Sequence, residues 1–205
     1  MIEKYHTPWL SIWMNPKQTV RWILESNKKT VLLILLFGLA INLENSSLQS
    51  PGDTLSLSTI LLLGIIFSPL SGYIFVWITA FLFTIAGKWL GGVGEWKQVR
   101  KVVEWSSIFY IASLIITLLE IILLGNEFFQ STQPTLENSM FLSVLFLILY
   151  TLQLAIFVWW VVFLVIALSE IHAFSYLKGF FTLFISLLLV VLFNVFIFLF
   201  LMIFK

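Results

Sequence analysis

The chain has 205 residues, 60% of them hydrophobic and only 10% charged, with 21 Phe and 9 Trp. A soluble domain is about 45–50% apolar and about 25% charged, so this composition, with a mean hydropathy of +1.06, excludes a water-facing globule and a disordered chain. A net charge of +1 and no cysteine also exclude a generally basic nucleic-acid binder, a disulfide framework and a thiolate nucleophile or metal ligand. An integral membrane protein remains.

The N-terminal arm, residues 1–29, comes first. Pro8-Trp9-Leu10-Ser11-Ile12-Trp13 is too apolar to stay in water and too short to span. Asn15-Pro16 reads as a helix start, with Asn at the N-cap and Pro at the first helical position. Over the following turns Val20, Ile23 and Leu24 share one face, while Lys17, Arg21, Lys28 and Lys29 can reach phosphates. That pattern predicts an interfacial amphipathic helix.

Crossing a bilayer takes about 20 mostly apolar residues in a helix. Five segments qualify, near 30–46, 55–87, 105–125, 139–169 and 179–204, so residues 30–205 are expected to form one all-α, five-span membrane domain. The first has the shortest apolar core, Val31–Leu43. No small-residue cleavage site follows it, so it reads as an uncleaved span. The second contains Ser68-Pro69. Its halves are too short to cross separately, so a kinked helix is expected, with Ser68 and neighbouring helices serving the carbonyl that Pro69 frees.

Orientation follows the basic residues. Lys4, Lys17, Arg21, Lys28 and Lys29 precede the first span. Lys88, Lys97, Arg100 and Lys101 fall in the 88–104 loop, and Lys178 in the 170–178 loop. With five spans these segments share one side and hold all but one of the 11 basic residues, the exception being Lys205. The opposite side carries Glu44, Asp53, Glu127 and Glu137. A cytoplasmic N-terminus and an external C-terminus are therefore expected. Trp9, Trp13, Trp22, Trp89, Trp96 and Trp105 lie in or beside the same basic segments, as anchors at the headgroup level would.

In the 88–104 loop, Gly91-Gly92-Val93-Gly94 precedes Trp96, Val99, Val102 and Val103 at helical spacing, with Lys97, Arg100 and Lys101 on the opposite side. No Gly-Lys-Ser/Thr follows the glycines, so a flexible turn into a second surface helix is the better reading than a phosphate loop. Taken together, Pro8, Trp9, Ile12, Trp13, Pro16, Thr19 and Arg21, then Trp89-Leu90-Gly91-Gly92, Gly94, Trp96 and Val99, then Ser169, Ile171, His172, Phe174 and Ser175, resemble bacterial members of the Yip (Ypt-interacting protein) domain family. The resemblance implies a polytopic membrane protein, in some cases an accessory of ABC-type exporters, with no catalytic residues and no cofactor. Eukaryotic members act with Rab/Ypt GTPases through a longer cytosolic N-terminal region. The short arm here argues against such a partner and points to a bacterial plasma membrane.

Polar groups inside spans are candidate sites, because their burial in lipid is costly. Glu120 falls near the end of the third span, where it is expected to reach headgroups or to make a packed polar contact. Gln153 and Asn194 lie deeper, in the fourth and fifth spans, and an Asn–Gln contact between helices would satisfy both. Gly64, Ser68 and Gly72 form a small-residue stripe that lets another helix approach closely. Glu170 and His172 are a weaker candidate for proton handling, with Arg100 or Lys178 as a conceivable partner. His6 is the only other histidine, so no multi-histidine metal site can be built.

The expected function is thus a non-enzymatic membrane scaffold or accessory that contacts lipid, other membrane proteins or itself. Its expected contact residues are the Gly64/Ser68/Gly72 seam and a cytoplasmic interface of Trp9, Trp13, Arg21, Trp89, Gly91, Gly92, Gly94, Trp96, Arg100 and Lys101. The alternative is a small transporter, channel or lipid-handling protein using Glu120, Gln153 and Asn194.

Overall fold

A computed structural model describes residues 8–203; Lys4, His6 and Lys205 lie outside the described residues. The elements in order are α1 (Pro8–Met14), α2 (Pro16–Glu25), α3 (Val31–Gln49), a 3-10 turn at Pro51–Asp53, α4 (Leu57–Trp89), α5 (Trp96–Leu124), a second 3-10 turn at Gly125–Phe129, α6 (Pro134–Glu137), α7 (Met140–His172) and α8 (Tyr176–Ile203). The architecture is all-helical, and α3, α4, α5, α7 and α8 are long and apolar enough to cross a membrane.

One expected element is absent as a separate piece. The segment after the glycine turn is no independent surface helix but the first turns of α5, which starts at Trp96 and runs on into the third span. Nothing between Trp96 and Trp105 breaks the helix: there is no Pro or Gly, and Val, Lys, Arg and Glu all extend it. The length excess of α7 has the same origin, its helical pattern continuing to His172.

The chain divides into two compact units. The first holds the described residues through Ser26, Trp77–Val103 and the residues from Val162 on. The second holds Asn27–Val76 and Glu104–Val161.

In the second unit α3 lies along α4 at very short range. A side chain at Gly38 would fall on the Ser68 carbonyl, and one at Gly72 on the Ile34 carbonyl, so only glycine permits this approach. Gly64 meets the side chains of Leu39 and Leu43, and the Asn42 amide donates to the Gly64 carbonyl (3.0 Å). The stripe therefore packs against the chain's own first span. Helix α4 runs unbroken through Pro69. Proline has no N–H for the Ile65 carbonyl four residues back, and the Ser68 hydroxyl donates to it instead (2.8 Å). Beside this seam Ala40, Leu43, Ile60, Leu114, Ile121 and Phe129 form a buried apolar cluster. The turn at 51–53 is held by Asn126 and Gln130, whose amides donate to the Gly52 carbonyl (2.9 and 3.1 Å).

In the first unit α1 and α2 turn their main apolar face inward. Ile12, Val20 and Ile23 are all 0% exposed, so the apolar face of α2 is covered by protein. The Thr19 hydroxyl donates to the Asn15 carbonyl (2.9 Å) and lies 2.9 Å from the Ser11 hydroxyl. Asn15 occupies the N-cap position before Pro16, yet its side chain makes no capping bond. Trp9, Leu10 and Met14 stay exposed on α1 and are the apolar groups this arm presents outward.

Candidate functional site

All ten residues expected at the cytoplasmic interface fall in the first unit, together with Glu170, His172 and Lys178. What gathers them is a pair of helix ends. Helix α4 stops where Gly91 takes a left-handed conformation (φ +83°), and the Gly92 N–H donates back to the Gly87 carbonyl (2.9 Å). Helix α7 stops where Ala173 does the same (φ 54°), and the Phe174 N–H donates to the Ser169 carbonyl (3.2 Å). Both are six-to-one closures that serve a carbonyl orphaned at a helix end. The two ends are tied by the Val93 N–H, which donates to the His172 carbonyl (3.3 Å).

His172 is the pin of this corner. It is 1% exposed, and a side chain at Gly87, Gly92 or Gly94 would collide with its ring. The Gly94 N–H donates to Nδ1 (3.1 Å), so Nδ1 is an acceptor and the neutral ring carries its proton on Nε2. The Phe174 ring stacks on the imidazole at 5.2 Å. The glycines of the 88–104 loop thus serve this close fit, and the residues separated by some 80 positions in the sequence belong to one structure. A histidine after a span looks ordinary in sequence. Its signal was the coincidence of a lone membrane-edge His with a glycine-rich turn at the end of another span.

Glu170 faces different groups. Lys17 Nζ lies 2.8 Å from Oε1, while Arg21 donates through Nη2 (3.2 Å) and Nε (3.3 Å) to Oε2. The proton-handling pair with His172 is therefore not formed: two residues apart on a helix end, the carboxylate turns to α2 and the ring to the glycines. Neither Arg100 nor Lys178 is its partner. The hydrogen bond and charge of Glu170 raise the pKa of Lys17 above its ordinary value. Two of the four arm cations within reach of phosphates, Lys17 and Arg21, are engaged here.

Lys101, Lys178 and Arg100 meet carbonyls or rings. Lys101 Nζ donates to the Leu24 and Ser26 carbonyls (3.1 and 2.7 Å), at the end of α2 where helical carbonyls lack partners. Lys178 Nζ donates to the Leu90 carbonyl (2.9 Å). Arg100 lies over Trp96 at 5.0 Å and Trp77 at 6.0 Å, within cation–π range, and those two rings meet edge to face. Trp13 is half-buried, whereas Trp9 and Trp89 are exposed.

Of the intramembrane polar residues, Glu120 makes the packed polar contact that was one of its two expected roles. Glu120 is 2% exposed and does not reach outward. Gln153 donates its amide to Glu120 Oε2 (3.2 Å) and lies 3.4 Å from the Thr117 hydroxyl. The expected Asn194–Gln153 contact is thereby replaced. Asn194 donates instead to the Val190 carbonyl of its own helix (2.8 Å), the local way for an amide to satisfy itself on an apolar helix. Helix α8 packs through the small face Gly179, Thr182 and Ser186. From Val191 to Phe200 every residue is exposed.

Among the described residues no group of three or more His, Asp or Glu could hold a metal ion. The site defines a class: a polytopic helical membrane protein whose polar residues are spent on internal joints. The family model for the Yip1 domain matches residues 10–199, nearly the whole chain. The chain belongs to the Yip1 domain family. No curated protein and no solved structure matches it.

Proposed function

We propose that this chain is a non-enzymatic accessory or scaffold of a membrane assembly, and that the far half of α8 is its association surface. The observation that carries this reading is the uncovered run Val191–Phe200 with Asn194 in it. An amide on a lipid-facing helix is costly, and a second helix offering a donor or acceptor relieves that cost. The seam Gly64/Ser68/Gly72 is filled from within the chain, so α8 is the better-placed surface for another membrane protein.

The basic bias supports a cytoplasmic N-terminus and an external C-terminus. In that orientation the first-unit corner, with Trp9, Trp89, Gly91, Gly92 and Gly94, lies at the cytoplasmic membrane surface, and the exposed Trp residues anchor it there. The finer reading is a bacterial plasma membrane protein serving an exporter of the ABC type, without a Rab-type GTPase. Lys17 and Arg21, turned onto Glu170, support a structural arm over a docking tail for a soluble GTPase.

The test is a gentle-detergent pull-down of tagged protein from its native membrane, with mass spectrometry, run beside Asn194→Val. A stoichiometric membrane partner retained by the parent chain and reduced at least severalfold with the variant is expected. A lone chain, or a partner indifferent to Asn194, would sink the α8 reading.

A further inference from the structure

The second unit contains a cavity of 420 Å³ among α3, α5 and α7. Its polar floor is Glu44, which accepts a hydrogen bond from the Ser113 hydroxyl (3.2 Å). Tyr110, Tyr150, Phe157 and Trp160 supply its walls. No Lys or Arg lines it, and among the described residues no basic side chain pairs with Glu44.

The walls are braced before any ligand arrives. Tyr110 meets Trp160 edge to face at 5.5 Å and 87°, and Phe37 meets Tyr110 at 4.7 Å. Phe157 lies against Trp160 at 5.7 Å. The Trp160 indole N–H donates to Ser106 Oγ (3.3 Å), which fixes the ring's rotation. Tyr150 and Phe157 are both more than half exposed, so the cavity opens sideways from the helix bundle onto the face where lipid lies. Gln153, also at the lining, is held by Glu120 and Thr117.

We propose that this cavity binds an organic cation carrying an apolar group, with its ammonium centre between the Glu44 carboxylate and the Tyr110, Tyr150 and Trp160 rings. Ring faces attract cations through their quadrupole, most strongly where water is scarce. A carboxylate without a basic partner supplies the opposite charge. An anionic ligand finds no positive group here. The volume admits a headgroup or a small amphiphile, and the lateral opening lets an acyl or aryl portion remain among lipid tails. The ammonium can come from an amine-bearing lipid or from a free lipophilic cation.

The probe is benzyltriethylammonium, measured by equilibrium dialysis against the purified full chain in a nonionic detergent. Saturable binding at one site per chain is expected. Glu44→Gln keeps a hydrogen-bond acceptor for Ser113 but removes the charge, and should weaken binding about tenfold or more. Tyr150→Ala, at an exposed position, should weaken it about threefold through the lost ring face. Glu127→Gln, which alters a carboxylate outside the cavity, should bind as the parent does. Each variant must elute as the parent in size exclusion. Lysophosphatidylethanolamine competing for the probe would assign the site to a lipid headgroup. Competition by dodecyltrimethylammonium alone would assign it to free cationic amphiphiles, and either outcome supports the site. No saturable binding, or equal binding by Glu44→Gln and Tyr150→Ala together, overturns it.

Discussion

The two units are held together by different chemistry. In the second, helices meet backbone to backbone: Gly38 against Ser68, Gly72 against Ile34, with Ser68 closing the carbonyl that Pro69 leaves open. In the first, side chains from one segment cap the exposed ends of another: His172 takes the Gly94 N–H, while Lys101 and Lys178 take helix-end carbonyls. The contrast follows from solvent. Inside a bilayer every helix already satisfies its own backbone, so close packing of small residues is the available attraction. At helix ends the backbone groups are orphaned, and long polar side chains gain most by reaching them.

The sharpest way to break this comparison is Gly72→Leu. The added side chain has no room at the Ile34 carbonyl, so the second unit should fail to assemble, costing about 3 kcal/mol or more. Loss of the monodisperse peak in detergent chromatography checks it; a normal peak would mean that α3 and α4 are not packed this closely.

His172→Ala is next. It removes a buried ring and leaves the Gly94 N–H without its acceptor, for a loss of about 2–4 kcal/mol. The chain has no cysteine, so a single cysteine at Ile171, which is buried against Gly94, reports the corner directly. Its labelling should accelerate in His172→Ala, while a cysteine at Leu43 stays protected. Equal acceleration at both would show that the units do not differ in what holds them.

Gln153→Leu tests a polar joint inside the second unit. Glu120 Oε2 loses its donor, and the cost should be about 1–3 kcal/mol, read as a lower thermal midpoint. Adding Glu120→Leu should recover much of it, because neither buried polar group is then left unmatched.

The smallest effect belongs to Glu170→Gln. The Lys17 side is solvent-exposed, so global stability should scarcely move, although α2 should open more often. The pH dependence has a definite sign. Lys17 has a raised pKa in the folded chain, so its contribution is fully present below its ordinary value of 10.5 and is lost as pH rises above that value. A cysteine at Ile23 should label faster as pH climbs past that point in the parent chain, and show no such step in Glu170→Gln.

Much of the fold was legible because the signals were local. The five spans follow from apolar length, and the Ser68–Pro69 joint from the missing N–H and the hydroxyl beside it. The small-residue stripe was visible, although which helix fills it was not, since Gly38 becomes meaningful only once α3 lies against it. The surface helix at 96–103 was misjudged because loop polarity masked continuous helical propensity into the next span. That the apolar face of α2 is covered by protein was not legible, because an amphipathic helix reads alike whether that face meets lipid or protein. Glu44 sits near the end of a span and looks like a loop carboxylate. Its aromatic surroundings come from α5 and α7, at sequence distances no local pattern can bridge.

The glycine fit around His172 has a consequence for how this sequence can vary. A methyl group at position 87, 92 or 94 needs the space the imidazole fills. A smaller residue at 172 would release that space but abandon the Gly94 N–H. No single substitution crosses between one workable combination and the next. The four positions are therefore expected to change only together, since a change at any one of them alone weakens the corner.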